Sequence, residues 1–400
     1  MRIGVITARY SVSGVPLAQA RLAAVLAWAG HQVDYVIGYA PPDLEVPEPE
    51  GTQRLMLGAP TVRAAIRPLC RYLREARPDI VFSAEDHLNA AVAIAAILTR
   101  SGVRISGSSR VTPLGTNSDS PFGAYSNKRF TKRWALKKLV RATAWRQNVM
   151  TCVSRDMVEQ YRAAMPGLTY HAVYNIVSDA RVAALLTAPL DNDPWLPAKG
   201  RAEDLGDPPV LVAAGSLEHR KGFDDLLRAV ALLHQRGRPV RLIVLGEGSQ
   251  RSALESLIVE LGLSTHVRLP GREANPYRFF RRASVFALSS HEEGLPNVLV
   301  EAMLSGATPV ATDCPTGPRE VLQDGAYGYL VQPRDPASIA DGLIAALDHP
   351  IAPERLAEGI KRFTEAAVLA RHSELLGMPL LATGDEGKRA DVYCSLSNDK

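Results

Sequence analysis

The sequence predicts an α/β protein made of two doubly wound, Rossmann-like domains, and three observations carry that prediction. The chain has 400 residues, more than one ordinary hydrophobic core accommodates, so two domains are expected. Short apolar runs alternate with stretches of helical length, the pattern of βαβ units around a parallel sheet. The alternation breaks off near residue 174 and restarts at Pro208, so the pattern is made twice.

In the first half, "RIGVIT" is a near-continuous apolar run and is predicted as a buried strand. A turn containing Gly14 follows, then the helix "LAQARLAAVLAWAG" and the strand "VDYVIG". "DIVFSA" (79–84), the helix "NAAVAIAAILTRSG", "VRISG" and "NVMTCVS" (148–154) continue the series. In the second half the strands are "PVLVAAG" (209–215), "VRLIVLG" (240–246), "HVRLPG", "ASVFALSS" and "TPVATD" (308–313). The helices "FDDLLRAVALLHQRG" and "SALESLIVELG" and one starting after Pro296 lie between them. A stretch rich in Pro, Gly and Asp divides the halves, giving domains 1–178 and 208–350 joined by a linker, 179–207. Helices over 351–381 are expected to cross back to the first domain, and the tail 382–400, which has no apolar period, is expected to be disordered. Ligands of open α/β sheets lie beyond the C-terminal strand ends, so two facing domains place the site in a deep inter-domain cleft.

Hydrophobic residues make up 46% and charged residues 22%, the balance of a water-soluble fold. No run of about 18 apolar residues occurs, so no membrane span is predicted. "MRIGVITARY" has no secretory h-region, which places the chain in the cytoplasm. Cys70, Cys152, Cys314 and Cys394 are scattered, which argues against a disulfide framework or a zinc site. Up to Ser178, 22 Lys and Arg stand against 12 Asp and Glu, while the whole chain carries only +4. A basic first half calls for an anionic partner. Its densest part, "NKRFTKRWALKKLVRATAWRQ" (127–147), interleaves eight Lys and Arg with Phe130, Trp134, Leu136, Leu139, Val140 and Trp145. That composition suits a helix packed on the first sheet and docked electrostatically on an anionic membrane, the cytoplasmic face of the inner membrane. Nucleic acid is excluded as partner, because no recognition motif accompanies the charge.

"SSHEEGLPNVLVEAMLSGATPV" (289–310) is the most informative stretch. Pro296 suits the first position of a helix, so Glu293 falls in the loop beyond a strand and Glu301 about five residues into the helix. Unpaired N–H groups at the helix start, near Gly294, Leu295, Pro296 and Asn297, favour a phosphate. A diphosphate with a sugar on each side fits, each carboxylate accepting hydrogen bonds from one sugar. Two surface glutamates, one favouring the helix dipole, are the alternative.

"EGLPNVLVEAM" resembles the glutamate-x7-glutamate motif of the retaining glycosyltransferase family 4, which has the GT-B fold. "GSLEHRKGFDDLLRA", "LGEGSQR", "VRLPGREANPY", "DCPTGPREVL" and "GYLVQPRDP" resemble further blocks of that family in the same order. The resemblance is strong from about Val210 to Asp335 and weak over the first half. It implies that Glu293 contacts the transferred sugar, Glu301 the ribose, and Lys221 the diphosphate. Ser216, after Gly215, stands where the family often has arginine, and Arg220 is placed to compensate. Fixed cations stabilise the charge that builds on a leaving diphosphate, so neither metal nor cofactor is required. Gly246 in "LGEGS" either admits the nucleotide or serves strand–helix packing, and Arg272 falls in the base-binding loop.

The first half departs from the family pattern. Where the family often carries two glycines in the first loop, this chain has Gly14 alone. Where many members place a histidine after a middle strand, the chain reads "RISGSSR", so Ser108, Ser109 or Arg110 occupies that space, or else His87 of "SAEDHLN", at another strand's C-terminal edge, serves in its stead. The resemblance implies transfer of a hexose or N-acetylhexosamine from a nucleoside diphosphate sugar, UDP-linked, to a lipid-linked or polysaccharide acceptor. A catalytically lapsed nucleotide-sugar-binding scaffold and another GT-B enzyme, such as a UDP-sugar 2-epimerase, are the alternatives.

Overall fold

The computed structural model describes residues 1–11, 14–42, 44, 46, 48–113, 132–190, 193–196 and 208–379. The tail 382–400, residues 191–192 and 197–207 of the sequence-predicted linker and residues 127–131 of the basic stretch lie outside them. The described residues fall into two compact units: Met1–Ile176 with residues 363–379, and Val177–Arg362.

In the first unit the elements run β1 (Arg2–Arg9), α1 (Gly14–Trp28), β2 (Gln32–Tyr39), β3 (Thr52–Met56), α2 (Val62–Glu75), β4 (Ile80–Ala84) and α3 (Asp86–Thr99). Then come β5 (Arg104–Ser109), α4 (Lys132–Thr143), β6 (Val149–Cys152), α5 (Arg155–Ala164) and β7 (His171–Ala172). The strands form one sheet in the order β3-β2-β1-β4-β5-β6-β7, and every neighbouring pair is parallel. Successive side chains of a strand point to opposite faces, so the sheet feeds two cores. Ile3, Val5, Tyr35, Ile37, Ile80 and Phe82 pack under α1, and Ile6, Val36 and Val81 pack under α2 and α3. Apolar residues on both faces are why these strands read as continuous runs. The strand β3 and the helix α2, which contains Pro68 and is capped by Thr61 accepting the N–H of Ala64, have no counterpart among the elements read from the sequence.

The second unit runs α6 (Val182–Thr187), β8 (Val210–Ala214), α7 (Phe223–Gln235), β9 (Arg241–Leu245), α8 (Arg251–Glu260), β10 (Val267–Gly271) and α9 (Tyr277–Phe280). It continues with β11 (Val285–Leu288), α10 (Asn297–Leu304), β12 (Thr308–Thr312), α11 (Pro318–Val321), β13 (Tyr329–Val331), α12 (Pro336–Asp348) and α13 (Pro353–Ile360). Its sheet has the order β10-β9-β8-β11-β12-β13, again parallel throughout. Buried Leu226, Leu227, Val230 and Leu233 of α7 and Ile339 and Leu343 of α12 share a core with β8, β9 and β11. The last helix, α14 (Glu365–Leu376), belongs to the first unit, where Val368, Leu369 and Leu376 join the core beneath α1.

The strand orders repeat. In each sheet the chain builds outward from a first strand, β1 or β8, and then reverses to lay the fourth, β4 or β11, on its other side. Such reversals are the switch points at which doubly wound sheets hold ligands. The basic stretch differs from expectation in one respect: α4 packs against α3 rather than on the sheet. Val140 is its buried anchor, whereas Leu139 and Trp145 are exposed, Trp145 by 73%.

Candidate active site

The switch point of the second sheet is built from the segments that follow β8 and β11. After β8 the chain turns through Gly215 and Ser216 into a single 3-10 turn, His219–Lys221, which ends at Gly222. Gly222 has φ +60, and a Cβ there would stand 2.2 Å from the Ser289 carbonyl oxygen and 2.8 Å from His291 Nε2. Only glycine lets this turn press against the end of β11. The contact is fastened by the His291 N–H donating to the Arg220 carbonyl at 2.8 Å and Ser289 Oγ donating to the Lys221 carbonyl at 2.9 Å.

That packing brings together residues 72 apart in sequence. Lys221 Nζ donates to Glu293 Oε1 at 2.5 Å, Ser290 Oγ donates to the same oxygen at 2.7 Å, and Arg220 stands 3.9 Å from Oε2. Glu293 is 8% exposed. Burial pushes its carboxyl pKa up, but the charges of Lys221 and Arg220 and the hydrogen bonds from Lys221 and Ser290 outweigh it and hold the pKa below the usual value. The group is therefore an ionised acceptor at neutral pH. Its backbone is fixed on both sides: the Glu293 N–H donates to Pro315 at 2.9 Å, and Thr316 donates to the Glu293 carbonyl from both N–H and Oγ1 at 2.9 Å. Neighbouring Cys314 is buried, and burial followed by the Glu293 charge pushes its thiol up to about 12, so it stays protonated.

Helix α10 begins at Asn297, with Pro296 in the capping position one step before the place expected for it. Among the described residues, the N–H groups of Gly294 and Leu295 donate to no acceptor. Glu301 is the fifth residue of α10 and is partly buried, about 6 Å along the axis from Asn297. Gly246 has φ +148, and a Cβ on it would stand 1.8 Å from the Gly215 carbonyl oxygen. Close approach of the ends of β8 and β9 demands glycine there without any ligand. Arg272 is exposed just beyond β10. His291 Nε2 donates to Asp225 Oδ2 at 2.7 Å, and with Asp224 these side chains form the cation-ligand-type cluster found among the described residues.

The structure thus joins Glu293 and Lys221 in direct contact, with Arg220 at ion-pair distance, and places Gly215, Ser216, Gly294 and Leu295 in the flanking segments. In the first unit, Gly14 opens α1 and is exposed. His87 is the second residue of α3, 3.7 Å from Glu85 Oε2, and burial lowers its pKa against the opposing charge of Asp86. Sequence reasoning passed over Ser290 and Thr316. Both lie inside quoted motifs, but nothing in their spacing shows that they brace Glu293.

Repeated parallel sheets with these orders are those of the GT-B fold class. Within that class, residues 199–363 match the family model of glycosyl transferases group 1. An uncharacterized glycosyltransferase of Methanocaldococcus jannaschii is 28% identical over 66% of this chain and 66% of its own length. The Campylobacter jejuni N-acetylgalactosamine-N,N'-diacetylbacillosaminyl-diphospho-undecaprenol 4-alpha-N-acetylgalactosaminyltransferase is 35% identical over 34% of this chain and 37% of its own. The chain spans about two thirds or less of these curated relatives. Among solved structures, HepE of Anabaena in complex with UDP-glucose superposes with a TM-score of 0.68 at 18% identity, covering 94% of this chain and 99% of HepE; it supports the GT-B fold.

Proposed function

We propose that the protein is a retaining, metal-independent glycosyltransferase of family 4. It moves a hexose or N-acetylhexosamine from a UDP-sugar to a hydroxyl of a lipid-linked or polysaccharide acceptor. The observation that carries the proposal is the buried Glu293–Lys221 pair at the switch point of the second sheet. HepE, of the same fold, holds UDP-glucose, and the Campylobacter relative is named for an undecaprenol-diphosphate acceptor.

An ionised carboxylate accepts hydrogen bonds only, which suits Glu293 to the hydroxyls of the transferred sugar. The Lys221 ammonium has three N–H donors; one holds Glu293 and two remain for phosphate oxygens. The unpaired N–H groups of Gly294 and Leu295 add donors of the same kind. In the proposed reaction the acceptor oxygen attacks the anomeric carbon from the face that the diphosphate leaves. The bond from that carbon to the diphosphate oxygen breaks, and the acceptor proton passes to the departing diphosphate. Lys221 and Arg220 stabilise the charge that accumulates there. Glu301 takes the ribose hydroxyls.

On the first unit, exposed Trp145 and Leu139 beside Lys132, Lys138 and Arg141 support docking on an anionic membrane surface. No helix among the described residues is long and apolar enough to cross a membrane.

The test is a thermal-shift screen of UDP-, GDP- and ADP-sugars, followed by transfer to a lipid-linked glycan acceptor with NMR assignment of the new anomeric centre. UDP-sugars should raise the melting temperature by mass action, and the product should keep the donor's configuration. Inversion would refute the mechanism. UDP binding without transfer would favour a lapsed scaffold, and conversion without acceptor an epimerase.

A further inference from the structure

The first unit holds a carboxylate to which the transferase reading gives no role. β4 ends at Ala84, and Glu85 stands immediately beyond it, where the strand order reverses from β1 to β4. The second sheet repeats that order, so β4 corresponds to β11 and Glu85 occupies the segment equivalent to the one carrying Glu293. Ligands of doubly wound sheets lie outside the carboxyl ends of strands at this reversal.

The backbone of Glu85 is held at φ +79, ψ 133, a region that residues with a side chain rarely enter. Such outliers persist where the surroundings enforce them and gather at ligand sites. Here the Glu85 N–H donates to the Ser108 carbonyl at 2.8 Å, and the Glu85 carbonyl accepts from the Asn89 N–H at 2.9 Å. Buried Asn89 ties the same elements, donating to the Ser108 carbonyl at 3.1 Å and accepting from Ser83 Oγ at 2.7 Å.

The side chain has no structural duty to match that enforcement. Glu85 precedes α3 but makes no side-chain cap bond. The adjacent Asp86 is committed, accepting from Ser109 Oγ at 2.5 Å and from the Tyr161 hydroxyl at 2.6 Å. The Glu85 side chain is 32% exposed, with His87 Nε2 at 3.7 Å, beyond hydrogen-bond range. Among the described residues no donor reaches its carboxyl oxygens. Burial pushes its pKa up to about 7, opposed by the charge of Arg110 and reinforced by that of Asp86. A carboxyl poised there can accept a hydrogen bond from a hydroxyl or donate one.

We propose that Glu85 binds the acceptor, its carboxyl group holding a sugar hydroxyl at the switch point of the first sheet. This rests on the transferase reading above and adds to it a named residue on the acceptor side.

The test compares wild type with Glu85→Gln and Glu85→Gly, using octyl β-D-glucopyranoside below its micelle concentration as the acceptor probe. Glycine adopts positive φ freely, so Glu85→Gly guards against mere misfolding. Saturation-transfer NMR, which needs no turnover, should show probe binding to wild type and at least a tenfold loss in both variants. UDP affinity should change less than twofold. Equal probe binding in all three proteins would overturn the proposal, as would a wild type that does not bind the probe. Failure of the transferase reading shows separately, as a wild type that no UDP-sugar stabilises.

Discussion

Neutralising Glu293 as Glu293→Gln should separate its structural work from its chemical work. In the folded chain its carboxylate accepts from Lys221 at 2.5 Å and from Ser290 at 2.7 Å, and the Lys221 side chain is only 11% exposed. Removing one partner of a fully buried pair costs about 3–5 kcal/mol. Glutamine still offers an amide oxygen to Lys221, so the cost should approach that of one charge-assisted hydrogen bond, about 1.5–3 kcal/mol. In a unit of this size that corresponds to a fall in Tm of roughly 3–12 °C. Because the Glu293 pKa lies below the usual value, its contribution is present above the unfolded pKa of about 4.5 and is lost as pH falls through the folded one. The stability gap between wild type and variant should therefore close in acid. If the same carboxylate holds the transferred sugar, kcat/KM should fall by about 10- to 100-fold, at about 1.4 kcal/mol per tenfold. The decisive variant is the double change Lys221→Met with Glu293→Gln. Neutralising both partners removes the buried ammonium left without a counter-charge, so stability recovers while transfer does not. Calorimetry and radiolabelled sugar transfer, run on the same preparations, read the two effects. Normal transfer by Glu293→Gln, or activity recovering in step with stability in the double variant, would refute the assignment.

Gly246→Ala should cost about 1–3 kcal/mol or more in denaturant unfolding, because its Cβ would stand 1.8 Å from the Gly215 carbonyl oxygen; wild-type stability would refute the packing account. His372 lies edge-on to Phe82 at 4.9 Å, and burial, then the charges of Arg110 and Arg371, push its pKa down to about 3. The unfolded chain takes up that proton below about pH 6.5 and the native chain does not, so wild-type stability falls with acidity. His372→Leu should remove up to about 1.4 kcal/mol per pH unit of that loss between pH 6 and 4, measured by urea unfolding. For Glu85 the sign is opposite: its raised pKa weakens the folded state as pH climbs from about 4.5 to 7. Glu85→Gln should gain on wild type over that interval and hold a constant lead above it, whereas a gap independent of pH would refute the raised pKa.

The sheets were legible because parallel strands buried on both faces leave unbroken apolar runs, as in Val210–Ala214 and Val285–Leu288. Glu293 and Lys221 stood out by motif, but their contact depends on β8 lying beside β11, a pairing that no local pattern encodes. Helix α2 keeps a regular apolar stripe, Ala65, Leu69, Tyr72 and Leu73, and was missed only because Pro68 inside it reads as a helix break. Packing of α4 on α3 could not be read from its own periodicity, since the partner surface belongs to another helix. Glu85 left no trace at all: a positive φ is imposed by Ser108 and Asn89, and glutamate shows no preference that announces it.

The late return of α14 has a consequence for how the molecule is made. Val368, Leu369, Leu376 and Met378 complete the core beneath α1, yet they are translated only after the whole of Val177–Arg362. During synthesis, then, the earlier-made unit must wait with apolar surface uncovered while the later one, continuous in sequence, can close first. Expression of residues 1–176 alone should give a sticky, chaperone-dependent fragment, and supplying 363–379 through a short tether should restore its solubility.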